Sequence, residues 1–250
     1  MRLALLTDLH ANREAVEACL AHAGRQHVDQ YAFTGDFVGY GADPAWVVGT
    51  VMDYVARGAV AVQGNHDYAV TRSILSTLPR MHAEARAVIA WTQGQLDADQ
   101  QAFLAALPLT HKLGNAFFVH ASAHAPLQWE YVTDVDAAER SIRASGSRIV
   151  FSGHVHAPAL YRRADDGRMG RHVPAAGEGI ALQPQHQYLV LPGSVGQPRD
   201  QNNAACYAIF DDEAREIRYF RVPYDHGGAA RKVIAAGLPI VFAMRLVEGI

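Results

Sequence analysis

Short apolar runs alternate with stretches of helical periodicity in the first part of the chain, and each run stops at a polar cluster. Residues 2–7 (RLALLT) end at Asp8 and predict a buried strand. Ala15, Val16, Cys19, Leu20 and Ala23 then share a helical face, predicting a helix over residues 12–26. Residues 31–34 predict a second strand, closed by Gly35-Asp36. Pro44, at home in a first helical turn, opens a helix to residue 56. Residues 59–62 predict a third strand, closed by Gln63-Gly64-Asn65-His66-Asp67.

The middle of the chain changes character. Residues 81–93 and 97–107 have helical spacing with Pro108 as a stop, so 67–107 reads as a helical cap or excursion. Strands resume over 115–120, ending in His120, and over 148–152, ending in Gly153-His154-Val155-His156, with a helix over 135–144 between them. Strand-like runs follow at 159–163, 188–191, 206–210 and 217–222. Residues 162–184, rich in Gly, Arg and Ala, read as a hairpin loop over the site that these strand ends build. The tail, 224–250, reads as two short helices broken at Gly237-Leu238-Pro239, with an apolar stretch at 240–244 to pack on the core or on a partner. Two sets of strands with helices outside read as one α/β domain over 1–250, layered α/β/β/α.

Composition narrows the function classes. The chain has 250 residues, half of them apolar, 19% charged and a net charge of −3. That balance argues against an extended nucleic-acid footprint, which needs a basic surface. Cys19 and Cys206 lack the spacing of a zinc pair or a redox motif and read as buried thiols. No apolar run reaches the ~18 residues of a membrane span. The first apolar stretch is too short for a signal-peptide core, so a cytoplasmic location is the expectation. A homo-oligomer is compatible with the sequence.

The chemistry lies in five clusters, each directly after a predicted strand: Asp8-Leu9-His10, Gly35-Asp36, Gly64-Asn65-His66-Asp67, Val119-His120 and Gly153-His154-Val155-His156. Strand carboxyl ends in α/β sheets meet at one crevice. On an extended chain, alternate residues such as Asp8 and His10, or His154 and His156, point the same way. Asp8, Asp36, Asn65, His10, His120, His154 and His156 are too many donors for one ion. Two ions about 3.5–4 Å apart that share a carboxylate could use them all. Mixed nitrogen and oxygen donors suit Mn, Fe, Co, Ni or Zn better than Mg.

With these motifs in this order over residues 8–156, the chain resembles the calcineurin-like metallophosphoesterase superfamily (D-x-H, G-D, G-N-H-D, H, G-H-x-H). The stretch Pro192-Gly193-Ser194-Val195-Gly196-Gln197-Pro198-Arg199 is similar to the P-G-S-x-x-x-P-R loop of its small bacterial and archaeal phosphodiesterase branch, related to diadenosine tetraphosphatase-like proteins. The resemblance implies a four-layer α/β/β/α sandwich with a small helical cap insertion. It also implies two divalent ions, with Mn the first choice in vitro. Asp8, His10 and His156 would hold one, Asn65, His120 and His154 the other, and Asp36 would bridge them. A hydroxide between the ions would attack the phosphorus, and His66 would protonate the leaving oxygen or stabilise the phosphoryl charge. The implied substrate is a small phosphate ester, most simply a nucleotide-type diester or a dinucleoside polyphosphate. The alternatives are a phosphomonoesterase or a non-catalytic interaction scaffold.

One departure stands out. Phosphoprotein phosphatases and symmetrical dinucleoside tetraphosphatases carry G-D-x-V-D-R-G, where this chain has Gly35-Asp36-Phe37-Val38-Gly39-Tyr40-Gly41. Gly39 replaces the Asp that orients their catalytic His, and Tyr40 replaces a phosphate-gripping Arg. Arg199 is the expected substitute cation, since a guanidinium fork matches phosphate. Asn12 is expected either to cap the following helix or to reach a substrate oxygen. Asp67 reads as a turn residue, and Trp46, Trp91 and Trp129 read as packing.

Overall fold

The first strand is buried on both faces: Leu3, Ala4, Leu5 and Leu6 are all within 1% of fully inaccessible. Such a strand needs a layer on each side, and the computed structural model, which describes residues 1–72 and 83–250, supplies them. In chain order the elements are β1 (Arg2–Leu6), α1 (Arg13–Arg25), β2 (Gln30–Phe33), α2 (Pro44–Ala56), β3 (Val60–Ala61), α3 (Asn65–Val70), α4 (Ala83–Gln93), α5 (Ala98–Ala106), β4 (Thr110–Leu113) and β5 (Ala116–Val119). Then follow α6 (Val135–Ser145), β6 (Ile149–Phe151), β7 (Ala159–Arg163), β8 (Met169–His172), β9 (Gly179–Ala181), β10 (Gln187–Leu191), β11 (Ala205–Asp211), β12 (Glu216–Val222), α7 (His226–Ala235) and α8 (Ile240–Glu248).

Two six-stranded sheets result, ordered β3-β2-β1-β11-β12-β9 and β4-β5-β6-β10-β7-β8. In the first, β1, β2 and β3 are parallel, while β11 runs against β1. In the second, β5, β6 and β10 are parallel. Leu3, Leu5, Phe118, Phe151, Val190 and Tyr219 fill the space between the sheets. Ala4, Leu6 and Phe33 face the opposite way, onto Val16 and Cys19 of α1, Val47 and Val51 of α2 and Leu104 of α5. Val150, Tyr161 and Leu189 pack against Ala138 and Ile142 of α6. The fold is the expected α/β/β/α sandwich.

Within 67–107, the sequence reading of residues 73–82 falls outside the described residues. Helix α5 adds to the layer beside α2, where Gln100 donates to the Ala45 carbonyl at 2.9 Å. Helix α4 meets the tail: Val88 packs with Leu238, Phe242 and Leu246. The tail forms two helices, broken where predicted, and Phe242 brings α8 to within a ring contact of Tyr40, 4.8 Å between centroids.

The reading of 162–184 as a hairpin loop over the site is corrected by the register. Arg163 pairs with Gln187, at the start of β10, so the chain leaves β7 at the end away from the crevice. It then forms β8 on one sheet edge and β9 on the other. These edge strands and β4 went unpredicted because their side chains are largely exposed and carry no apolar alternation. Cys19 and Cys206 are buried free thiols, and burial pushes both pKa values up, Cys206 to about 12.

Candidate metal centre

The strand ends do not run on as extended chain. Asp8, His10, Ala11, Asp36, Tyr40, His154 and His156 all have positive φ, between 46° and 70°. Asp8 and His10 therefore converge through left-handed turns, and so do His154 and His156. The alternation expected from sequence is not what aims them. For non-glycine residues each such turn costs about 1–3 kcal/mol, and strain of this kind gathers at functional sites. Close backbone approach makes room for it: a β-carbon on Gly64 would lie 2.2 Å from Asp36 Oδ1.

Two buried groups of side chains meet here and share one carboxylate. Asp8, His10, Asp36 and His156 form one group and Asp36, His120 and His154 the other, with ligand atoms in each within 4.8 Å of one another. His156 Nε2 lies 3.3 Å from Asp8 Oδ1, and His120 Nε2 lies 3.2 Å from Asp36 Oδ2. His120 Nε2 is also 3.1 Å from Asn65 Oδ1 and 3.1 Å from His154 Nδ1.

Backbone carbonyls settle the tautomers. His10 Nδ1 donates to Val38 O at 3.0 Å, His120 Nδ1 to Thr34 O at 2.8 Å and His156 Nδ1 to Gln197 O at 2.6 Å. A carbonyl can only accept, so each Nδ1 carries a proton and each Nε2 is turned inward, where its lone pair serves a cation whenever Nε2 itself is unprotonated. His10 and His156 thus turn two lone pairs toward each other across 3.0 Å. Lone pairs facing one another beside two carboxylates fit a divalent cation.

The electrostatics agree. Burial works to raise the Asp8 and Asp36 pKa values, but His156 beside Asp8 and His120 beside Asp36 hold both below the usual carboxylate range. Burial pulls His120 down, and Asp36 outweighs it to lift the imidazole to about 9, so that a proton stands where a metal ion would. Burial leaves His154 at about 3 and His66 at about 4.

The chain is matched by the model for the calcineurin-like phosphoesterase superfamily domain over residues 1–215. It belongs to that superfamily. An uncharacterised protein of Methanocaldococcus jannaschii is 33% identical over 252 residues, covering 99% of this chain and 98% of its own. A metallophosphoesterase from Sphaerobacter thermophilus has the same fold with a TM-score of 0.87 and 34% identity, each chain covered completely. A hypothetical protein from Pyrococcus horikoshii shares the fold at a TM-score of 0.77, with 18% identity over 99% of this chain and 98% of its own. Hydrolysis of phosphoesters and binding of divalent metals are the family's chemistry, and the donor set of this calcineurin-like phosphoesterase fits them.

The remaining predicted residues divide. His66, 5% exposed, stands beside the cluster, its ring 5.0 Å from His10 and 4.6 Å from Tyr40. Its Nδ1 has no hydrogen-bond partner among the described residues, so ring packing rather than a carboxylate orients it. Arg199 reaches the same place: its guanidinium lies 5.6 Å from the Tyr40 ring, and Gln197 accepts from it at 2.9 Å. Asn12 takes the first of its two expected roles, that of a helix cap. Its Oδ1 caps Ala15 N, its Nδ2 donates to Gly196 O at 2.8 Å and Tyr224 Oη at 3.2 Å, and it is 2% exposed. It braces the 192–199 loop against α1 and has no donor left for a substrate.

Three groups escaped sequence reasoning. Asp67 is more than a turn residue: its buried carboxylate accepts from the amides of Asp36, Phe37 and Gly64 at 2.8–2.9 Å. Burial and then the charge of Asp36 raise its pKa to about 7, while the Gly64 and Phe37 amides pull the other way. Gln197 presents the carbonyl that orients His156, and Ser194 Oγ ties the same loop to Asp8 O at 3.0 Å. Trp129 is at the cluster rather than in a core, 6.0 Å from the His120 ring, beside Tyr131, which stacks on His154. Their spacing from His120 carries no motif that marks them.

Proposed function

We propose that the protein is a two-metal phosphodiesterase acting on nucleotide-type phosphodiesters or dinucleoside polyphosphates. One observation carries the reading: two ligand groups share Asp36 and point nitrogen lone pairs and carboxylate oxygens inward. Asp8, His10 and His156 would hold one ion, Asn65, His120 and His154 the other, with Asp36 common to both. Bound divalent ions, with Mn²⁺ the natural choice for assay, supply Lewis acidity and lower the pKa of water.

The chain's own residues do the rest. Arg199 grips a phosphoryl oxygen from outside the ligand cluster. His66, held neutral by burial, protonates the leaving oxygen once the substrate's negative charge raises its pKa toward the working range. The charge balance favours a diester. With Tyr40 in place of the family's Arg, Arg199 is the guanidinium beside this ring among the described residues, and one such cation suits the single charge of each diester linkage better than the two of a monoester.

The test is turnover of bis-p-nitrophenyl phosphate against p-nitrophenyl phosphate by metal-stripped protein refilled with Mn²⁺, with His66→Ala as control. Diester turnover that needs both metal and His66 is expected. The variant should retain metal and lose ~10²–10⁴-fold in kcat. Preference for the monoester would overturn the diester reading, and no turnover of either ester by fully loaded protein would favour a binding scaffold.

A further inference from the structure

The loop between β5 and α6 carries two aromatic side chains that the hydrolytic roles above leave unused. Tyr131 is 51% exposed, yet its ring stacks on His154 at 4.0 Å with 22° between the planes. Trp129 is half-buried, its ring 6.0 Å from His120 and 5.8 Å from Tyr68. Neither belongs to an apolar core of the described residues.

An isolated exposed aromatic is ordinary on a protein surface. These two differ in placement and in what holds them. The loop keeps Ala125 and Trp129 in left-handed backbone, φ 53° and 52°, conformations that non-glycine residues adopt at a cost of about 1–3 kcal/mol each. The strained turn sets Trp129 at one ligand histidine and Tyr131 at another. Leu127, in the same loop, is also 51% exposed. Arg199, its guanidinium 5.6 Å from the Tyr40 ring, carries a charge that acts on the phenols of both Tyr40 and Tyr131. A cation, the candidate ligand histidines and flat π surface thus stand side by side.

We propose that Tyr131 and Trp129 form a subsite for a nucleobase, with Tyr131 presenting its exposed face as the stacking platform. The proposal rests on the phosphoester reading and names its substrate class: a phosphate joined through a sugar to an aromatic base spans a polar centre and a π platform. Stacking on one ring is tolerant of base identity, because every base has a π face, and is worth about 5–150-fold in affinity.

The experiment compares two ligands that share phosphate and ribose and differ in the base. The Mn²⁺-loaded full chain is titrated calorimetrically with AMP and with ribose 5-phosphate, and metal content is checked for each variant. AMP should bind roughly tenfold more tightly or better. Tyr131→Ala should erase most of that gap, and Tyr131→Phe should keep it. Equal binding of the two ligands by the wild type would overturn the proposal. So would a Tyr131→Ala protein in which both ligands weaken alike, as a side chain that only shields His154 would give. The p-nitrophenyl assay separates the two readings: a base-dependent gap without turnover would retire hydrolysis and keep the subsite, and turnover without a gap would do the reverse.

Discussion

His66 Nδ1 faces the α-carbon of Gly39 so closely that a β-carbon there would sit 2.4 Å from it. Gly39 also has φ +90°, which side chains rarely adopt. The position that carries an aspartate in the related phosphatases is thus closed to any side chain while His66 keeps this place. Gly39→Ala is expected to displace the imidazole and lower kcat by about 10²-fold, the usual effect of an ångström of misplacement. Metal content should be unchanged. Steady-state kinetics with metal analysis checks this, and unaltered kcat would mean that the position of His66 is unimportant.

Tyr40, which lies between His10, His66 and Arg199, leans on the tail through Phe242, itself 3% exposed. Phe242→Ala should destabilise the protein by about 3–5 kcal/mol through the cavity it leaves. It should also reduce kcat at temperatures where the chain stays folded. Urea unfolding and kinetics on one preparation separate the effects; full activity in a destabilised protein would uncouple the tail from the site.

Asp67 gathers three short backbone N–H bonds from the two loops that carry Asp36 and Asn65. An amide in its place turns an NH₂ toward at least one of those donors. Asp67→Asn should therefore cost about 1.5–3 kcal/mol, the worth of hydrogen bonds to a charged group. Metal affinity should fall with it. Denaturant titration and metal analysis read both, and wild-type stability would show that the anion is not what joins the loops.

Asp36 is the one residue common to both ligand groups. Asp36→Asn should remove metal and activity together. Retention of both ions after desalting, measured by elemental analysis, would sink the shared-carboxylate assignment.

Arg199 lies outside the ligand groups and beside Tyr40. Arg199→Ala should raise KM for the diester more than it lowers kcat. An unchanged KM would take Arg199 out of the substrate site.

Much of the sandwich was legible because its central strands are short apolar runs cut off by polar clusters. Strands β1, β6 and β10 are buried on nearly every residue, and burial on both faces leaves a continuous apolar signature. The edges were not legible. In β4, Thr110, His111, Lys112 and Leu113 are half-exposed or exposed, so nothing in their order distinguishes strand from loop. The path of 162–184 depended on which end of β10 Arg163 would pair with, a matter of register that local sequence does not encode.

The identities of the candidate ligands and their order along the chain were properties of the sequence, since a divalent ion needs carboxylates and imidazoles wherever the fold takes them. How they face each other was decided only by the packed sheets. His10 and His156 are 146 positions apart, and nothing local makes their Nε2 atoms meet at 3.0 Å. That meeting depends on carbonyls of Val38 and Gln197, on left-handed turns at Asp8 and His154, and on the brace from Asn12 to Gly196. The same holds for the bare Nδ1 of His66 and for Tyr131 on His154. A sequence specifies which groups are available. Their separations and free faces follow from close packing of distant segments, where a shift of one ångström decides what each group can touch.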